Sequence, residues 1–545
     1  TLGHTRLSII DLATGAQPMR DEVNGAIITF NGEIYNYKKL RTLLEEKGHH
    51  FSTHSDTEVI LKCYAEYGDT CPEYLDGQFA FAIWDDAQQR LFLARDHNKK
   101  KPLFYSQVGN DFIFASEIKA LLATGLVDKT LDRVSIDNYL ALYFIPPWRT
   151  IYKHITPLLP AHSAVYQHGK LTTKRYWQIT NEPTDISYKD AANQVWEILS
   201  QSTESRMVAD VEVGVFLSGG IDSSIVTALA QKHAKGKLKS FAAGFGQYIN
   251  ELPYAKTVAE YVGTDHYERD IEISLENIRA VTRYYEEPWE DSCNLPTARI
   301  ARLAREKVKV VLSGDGGDEL FYGYGHYRAH WHLPKIKRLF ALAFGYSPEK
   351  LYARSHLNMF SPHERALLSK EPEAVNDALA TLDLSAAKTP LQKINLLDMY
   401  LKLPGDMLTK VDRSSMMHSL EVRSPFLNHK LAQFAFNLPD HYKTSRNLGK
   451  IILEKAFGNL LPAEVFTRKK QGFGAPVKEW LKDGAVRKLS ETMFTDDMRV
   501  GAFLHPSIVR SYLERFYGGE ESLSYKVWML FALELWLREH EEMYL

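Results

Sequence analysis

Two turns rich in glycine, serine and aspartate follow apolar runs in the second half of this chain, and both carry the groups that handle phosphate. The first, Leu217-Ser218-Gly219-Gly220-Ile221-Asp222-Ser223-Ser224, closes the run that begins at Val211 and precedes a helical stretch, Ile225 to His233. Its glycines let backbone amides close on a ligand, and the start of the helix adds positive potential. Hydroxyls of Ser218, Ser223 and Ser224 can donate to phosphate oxygens, while Asp222 can hold a divalent cation. The loop lacks the Gly-Lys-Ser/Thr ending of a Walker motif, so a different phosphate loop is implied. Taken alone it also reads as a turn whose side chains cap the helix. The second turn, Leu312-Ser313-Gly314-Asp315-Gly316-Gly317-Asp318-Glu319, ends the run Val308 to Leu312. Three acids among glycines repel one another unless a cation or a substrate ammonium lies nearby. The plain alternative is a solvated Asp/Gly turn. Both turns end strands of one domain, which predicts that they face each other across a crevice.

The elements that must hold these turns are legible around them. From about 190, strands 211–217, 239–243 and 308–312 alternate with helical segments, a doubly wound α/β pattern with a parallel sheet. Beyond about 335 the periodicity is mostly helical. Residues 1 to about 125 have another texture. A strand at 25–30 runs into Asn31-Gly32, read as a turn. Helical spacing covers 38–47 and 57–67, and Phe79–Trp84 with Leu91–Ala94 reads as a hairpin. This mixture favours a layered α+β domain. Pro146, Pro147, Pro157 and Pro160 and a polar tract place the connection at 146–190. A chain of 545 residues exceeds one core, so the division is 1–180 and 190–545.

Sixty-six basic against 68 acidic residues leave no field that attracts nucleic acid or an anionic membrane. No apolar run reaches the roughly 20 residues of a membrane span; Val527 to Leu537 is interrupted by Glu534 and reads as a packed helix. Three cysteines (Cys63, Cys71, Cys293) make no disulfide framework and fit a cytoplasmic protein.

The loop 218–223 resembles the pyrophosphate loop of the ATP pyrophosphatases. The run Ser313–Glu319, with Leu403-Pro404-Gly405-Asp406-Met407-Leu408-Thr409-Lys410-Val411-Asp412-Arg413 and Glu421-Val422-Arg423-Ser424-Pro425-Phe426-Leu427, resembles the synthetase domain of bacterial asparagine synthetases. Gly3-His4-Thr5-Arg6-Leu7-Ser8-Ile9-Ile10-Asp11, Phe30-Asn31-Gly32-Glu33 and Ser55-Asp56-Thr57-Glu58 are similar to the glutamine pocket of class II glutaminases. The resemblance spans Thr1 to about 540. It implies an N-terminal glutaminase domain with the αββα sandwich of Ntn hydrolases, joined to an ATP-pyrophosphatase domain with extra helices.

The resemblance implies residue roles as well. Arg6, Leu7, Ile9, Asn31, Gly32, Glu33 and Asp56 would hold glutamine: Arg6 its α-carboxylate, Asp56 its α-ammonium, Asn31 and Gly32 the oxyanion. Leu217, Ser218, Gly219, Gly220, Asp222, Ser223, Ala243, Ser313 and Gly314 would hold ATP, with Mg²⁺ on Asp222 and Asp318. Lys450 would contact phosphate, and Asp315 would assist ammonia attack. Substrates are then glutamine, aspartate and ATP, and a homodimer is expected. The family's nucleophile is an N-terminal cysteine upstream of the Arg6 motif, and the chain is expected to be cut short of it. Thr1, Cys63 and Cys71 do not replace it; the two cysteines read as core thiols. A further departure is Lys99 where the family has glycine; the run Arg95–Leu103 is expected to be a solvated turn without a left-handed residue. Three other readings use the same motifs: amidation of another carboxylate in exopolysaccharide or secondary-metabolite synthesis, a cyclase with a decayed glutaminase half, and a nucleotide-sensing scaffold.

Overall fold

The computed structural model describes residues 1–244, 251–271, 274–331, 352, 357–372, 378–468 and 476–541. In the N-terminal part, β1 (Met19–Arg20), β2 (Ile27–Ile34), β3 (Gly77–Asp85) and β4 (Arg90–Arg95) are followed by β5 (Phe104–Val108), β6 (Asp111–Ala115) and β7 (Thr156–Pro157). β8 (His162–Gln167) and β9 (Lys170–Arg175) complete one antiparallel sheet of order β1-β2-β3-β4-β8-β9. A smaller antiparallel sheet has the order β6-β5-β7.

Alternation along β3 sorts its side chains between two layers. Phe79, Phe81 and Ile83 join Leu40, Leu44, Val59 and Ile60 of the helices Tyr37–Glu46 and Asp56–Tyr67. Ala80 and Ala82 turn the other way, to Leu91, Leu93 and Leu103 and the rings of Tyr105, Phe112 and Phe114. The small alanines let the second sheet approach, while each buried phenylalanine contributes roughly 1.5–3 kcal/mol on the helical side.

Three expectations fail here. Asn31-Gly32 is not a turn, because β2 runs through both residues and Gly32 pairs with Phe79. Gly32 has φ +142°, and a Cβ there would lie 2.8 Å from Phe79 Cα and collide with the Gln78 carbonyl. The glycine serves strand approach rather than chain reversal. The proline-rich stretch 146–190 is not one connection either. It contains β7, β8 and β9, and β8 pairs with β4 from Leu91↔Tyr166 to Ala94↔Ser163. The edge strand β9 reads KLTTKR, so its polarity hid it.

The lysine run 99–101 is not a solvated turn. Lys100 and Lys101 are 7% and 3% exposed, and Lys99 sits at φ +63° although it carries a side chain. The buried Asp96 carboxylate accepts the backbone N–H groups of Asn98, Lys100 and Lys101 at 2.9–3.0 Å, which holds the loop in that conformation. Lys100 Nζ donates to the Leu427 carbonyl at 3.1 Å and Lys101 Nζ to Asp412 at 3.4 Å. Burial pushes the Lys100 ammonium down to about 7. The run is a pin between the two halves of the chain.

In the second half, β10 (Val213–Phe216), β11 (Lys239–Gly244), β12 (Asp265–Asp270), β13 (Val310–Leu312) and β14 (Glu421–Arg423) form a fully parallel sheet of order β12-β11-β10-β13-β14. The chain leaves β10 to β11 on one side and later adds β13 on the other, so the crevice opens at the carboxyl end of β10. The helical expectation for 335–350 lies outside the described residues. Beyond it, helix Ser524–Glu539 is buried nearly all round; Glu534, fully buried, accepts the N–H groups of Arg499 and Val500 at 3.0 and 2.8 Å. Cys63, Cys71 and Cys293 are buried. Among the described residues no helix is long and apolar enough to cross a membrane.

Candidate active site

A cavity of about 750 Å³ opens at the carboxyl ends of β10 and β13. Leu217, Ser218, Gly220, Asp222, Ser223 and Ala243 line it from one side, Ser313, Gly314, Asp315 and Asp318 from the other, and Lys450 joins them from a distant segment. Gly219 does not line it. Its φ is +71° and a Cβ would sit 2.6 Å from the Tyr254 backbone, so it bends the loop that presents its neighbours. Ser218 and Ser223 meet at 3.0 Å between hydroxyl oxygens, and the Ser218 N–H donates to Ser223 Oγ at 3.2 Å. This cross-link shapes the loop around the start of helix Ile221–His233, whose free N–H groups attract anions. The two loops touch: a Cβ on Gly314 would lie 2.7 Å from Ser223 N.

Lys450 is the pivot. Its Nζ pairs with Asp222 Oδ2 and lies 2.6 Å from Asp318 Oδ1. Burial opposes the ammonium, but the two carboxylates overcome it and hold the lysine above its usual range. Asp315 accepts the Ser313 hydroxyl at 2.6 Å, and burial raises its carboxyl above the usual carboxylate range. Farther along the cavity stand Glu290, Asp291, Asp406 and Lys410, none assigned a role from sequence. Lys410 Nζ bonds Asp291 at 2.7 Å, and Asp406, beside Asp291, is pushed up to about 7 by burial. Asp406 and Lys410 lie four apart, a spacing that puts both on one helical face and that a sequence reading can find. Asp406 lies in a π-helical stretch, Asp398–Met407, that accommodates Pro404.

Of the glutamine-pocket candidates, Asn31, Gly32 and Glu33 lie on β2 and Asp56 opens helix Asp56–Tyr67. Asp56 accepts the Ile34 N–H at 3.0 Å and is pushed up to about 6, chiefly by burial. Glu33, beside it, is raised well above its ordinary value by burial and by Asp56. Asn31 points its amide at Ser116 Oγ, 3.5 Å away. Gln17 accepts from Phe30 N–H at 2.7 Å and approaches Thr57, tying the segment after Arg6 to both elements. Arg6 uses Nη2 to grip its own loop, at the carbonyls of Ile10 (2.6 Å) and Asp11 (2.9 Å). Leu7 is half-buried; Ile9 is core, and its carbonyl accepts the Asp210 N–H at 3.0 Å.

The family profile described as Asparagine synthase matches residues 194–538, and that described as Glutamine amidotransferase domain matches 1–177. The chain belongs to the asparagine synthase family. Across 98% of its length it is 31% identical to "Asparagine synthetase [glutamine-hydrolyzing] 1" of Bacillus subtilis, covering 89% of that protein. It is 32% identical to "Putative asparagine synthetase [glutamine-hydrolyzing]" of Mycobacterium tuberculosis, over 98% of this chain and 88% of that one. At 26% identity, "Amidase chry2" of Gibberella zeae matches over 96% of this chain and 88% of its own. In this asparagine synthase family member the 750 Å³ cavity belongs wholly to the larger matched part but for Tyr143. The tyrosine reaches it at φ +62° and donates to Asp406 at 3.2 Å.

Proposed function

We propose that the protein makes L-asparagine from L-aspartate and ATP, with ammonia released from glutamine in its N-terminal, Ntn-hydrolase-like domain. One observation carries the reading: the phosphate loop, Asp315 and the Asp222–Lys450–Asp318 bridge share one cavity. The β-carboxylate of aspartate attacks the α-phosphorus of ATP, giving β-aspartyl-AMP and pyrophosphate. Ser218, Gly220 and Ser223 cradle the departing pyrophosphate, and Lys450 neutralises charge that builds on it. Ammonia then attacks the acyl carbon and AMP leaves. Asp315, with its raised carboxyl, takes the proton that the attacking nitrogen sheds.

Asp222 and Asp318 converge on a single ammonium, so their oxygens already surround one cation-sized position. Among the described residues no third acidic, histidine or cysteine ligand joins them. Two carboxylates suit Mg²⁺ that arrives on the nucleotide, with phosphate and water completing its shell. When bound, the ion supplies charge neutralisation at the phosphates.

Among the described residues Arg6 bonds its own loop through Nη2, which leaves Nη1 and Nε for the glutamine α-carboxylate. Asp56 and Glu33 face its α-ammonium, while Asn31 and Gly32 offer oxyanion donors. The buried thiols suit the cytosol. The test is product analysis with ATP, Mg²⁺, aspartate and ammonium. Asparagine, AMP and pyrophosphate in equal amounts support the reading; AMP absent with aspartate from protein that binds ATP overturns it.

A further inference from the structure

The glutamine-pocket candidates and the acid of the synthase cavity are joined by a short chain of polar contacts through β14. Arg423, fully buried, lies at its centre. Its Nη2 stands 3.5 Å from Glu33 Oε1, while its Nε donates to Glu421 at 2.8 Å and its Nη1 to the carbonyls of Arg206 and Val208 at 2.9 and 2.7 Å. The Glu33 end is the loose one. Glu33 Oε2 and Arg423 Nη2 are both buried, and neither makes a hydrogen bond among the described residues. From the other side of Arg423 the contacts tighten. Its carbonyl accepts the Ser313 N–H at 2.9 Å, the hydroxyls of Ser424 and Ser313 meet at 3.1 Å, and Ser313 donates to Asp315 at 2.6 Å.

We infer that Arg423 and Ser424 are positioning residues that couple occupancy of the glutamine pocket to the placement of Asp315. The inference rests on the proposed function, which puts the ligand's α-ammonium beside Glu33. That ammonium gives the orphaned Glu33 oxygen a donor and draws the carboxylate from its long contact with Arg423. The guanidinium then relaxes toward Glu421 and the two carbonyls. Because residues 423 and 424 hold Ser313 by both backbone and hydroxyl, the shift reaches the bond that orients Asp315. The link is reciprocal, as any binding coupling must be.

The probe is L-glutamate, which has the α-amino acid head of glutamine and cannot deliver ammonia. Ammonium-dependent pyrophosphate release with aspartate and ATP is followed without glutamate and with glutamate at a concentration that saturates its effect on melting temperature. Occupancy is expected to raise kcat/KM for ammonium at least about fivefold, the lower end of ordinary coupling. Ser424→Ala, which leaves the Arg423 ion pairs in place, should bring the ratio below about twofold while retaining the rate without glutamate, and Arg423→Lys should do the same if it folds. A wild-type protein with no response in rate or melting temperature overturns the coupling, as does a full response in Ser424→Ala. Absence of any pyrophosphate release instead strikes the proposed function, so the two failures are distinct.

Discussion

Replacing Lys450 by methionine removes the ammonium that bridges Asp222 and Asp318. The lysine is 6% exposed, with Nζ against Asp222 and 2.6 Å from Asp318. Taking one partner out of a buried ion pair costs about 3–5 kcal/mol, because the charge left behind is uncompensated. Here one Nζ serves two carboxylates, so the upper half of that range applies. At roughly 2 °C per kcal/mol for a large domain, melting near pH 7 should fall by about 8–10 °C. Mg²⁺ takes the lysine's place between the carboxylates, so it should stabilise the variant more than the wild type, by about 2.7 kcal/mol at a hundredfold excess over its dissociation constant. Calorimetric melting near pH 7, with and without Mg²⁺, measures the loss and the rescue. A variant that melts with the wild type and ignores Mg²⁺ would refute the bridge.

Asp315→Asn should lower amide formation by about 10²–10⁴-fold while ATP binding stays near wild type, because the base is lost and the shape kept; unchanged turnover would remove Asp315 from the chemistry. Glutamine binding should weaken about tenfold per unit below about pH 6, where Asp56 takes a proton and no longer pairs with the α-ammonium. Calorimetric titration from pH 5 to 7.5 shows this, and Asp56→Asn should flatten the profile at weak affinity. Gly32→Ala places a methyl into the Gln78 carbonyl of the neighbouring strand and should destabilise the N-terminal domain by more than about 3 kcal/mol. Its melting temperature, with the synthase activity as an internal control, decides this.

The cavity at the ends of β10 and β13 was legible because its lining sits largely in two contiguous loops at strand ends, where glycine, serine and aspartate follow apolar runs. Lys450 was harder: in sequence it is an ordinary lysine before a helix, and only the fold brings it between Asp222 and Asp318. Glu290 and Asp291 gave no sign, since they follow a tryptophan in a segment with no regular period. β12 (DHYERD) and β14 (EVR) are polar edge strands that alternation does not reveal. The lysine run shows the opposite failure. Three adjacent charges read as solvent-facing, yet Lys100 and Lys101 are buried at the boundary between the halves, their ammonium groups held by the Leu427 carbonyl and by Asp412. Gly32 misled through its neighbour: Asn-Gly is a strong turn signal, and the demand it met was a close strand.

The proposed reaction turns on a carboxylate attacking the α-phosphorus within the cavity of Ser218, Asp315 and Lys450. Aspartate labelled with ¹⁸O in both carboxylates, given with ATP, Mg²⁺ and ammonium, tests that step directly. One ¹⁸O atom transferred to each AMP, with unlabelled pyrophosphate, is the predicted result. AMP without label, or label in inorganic phosphate, would contradict it.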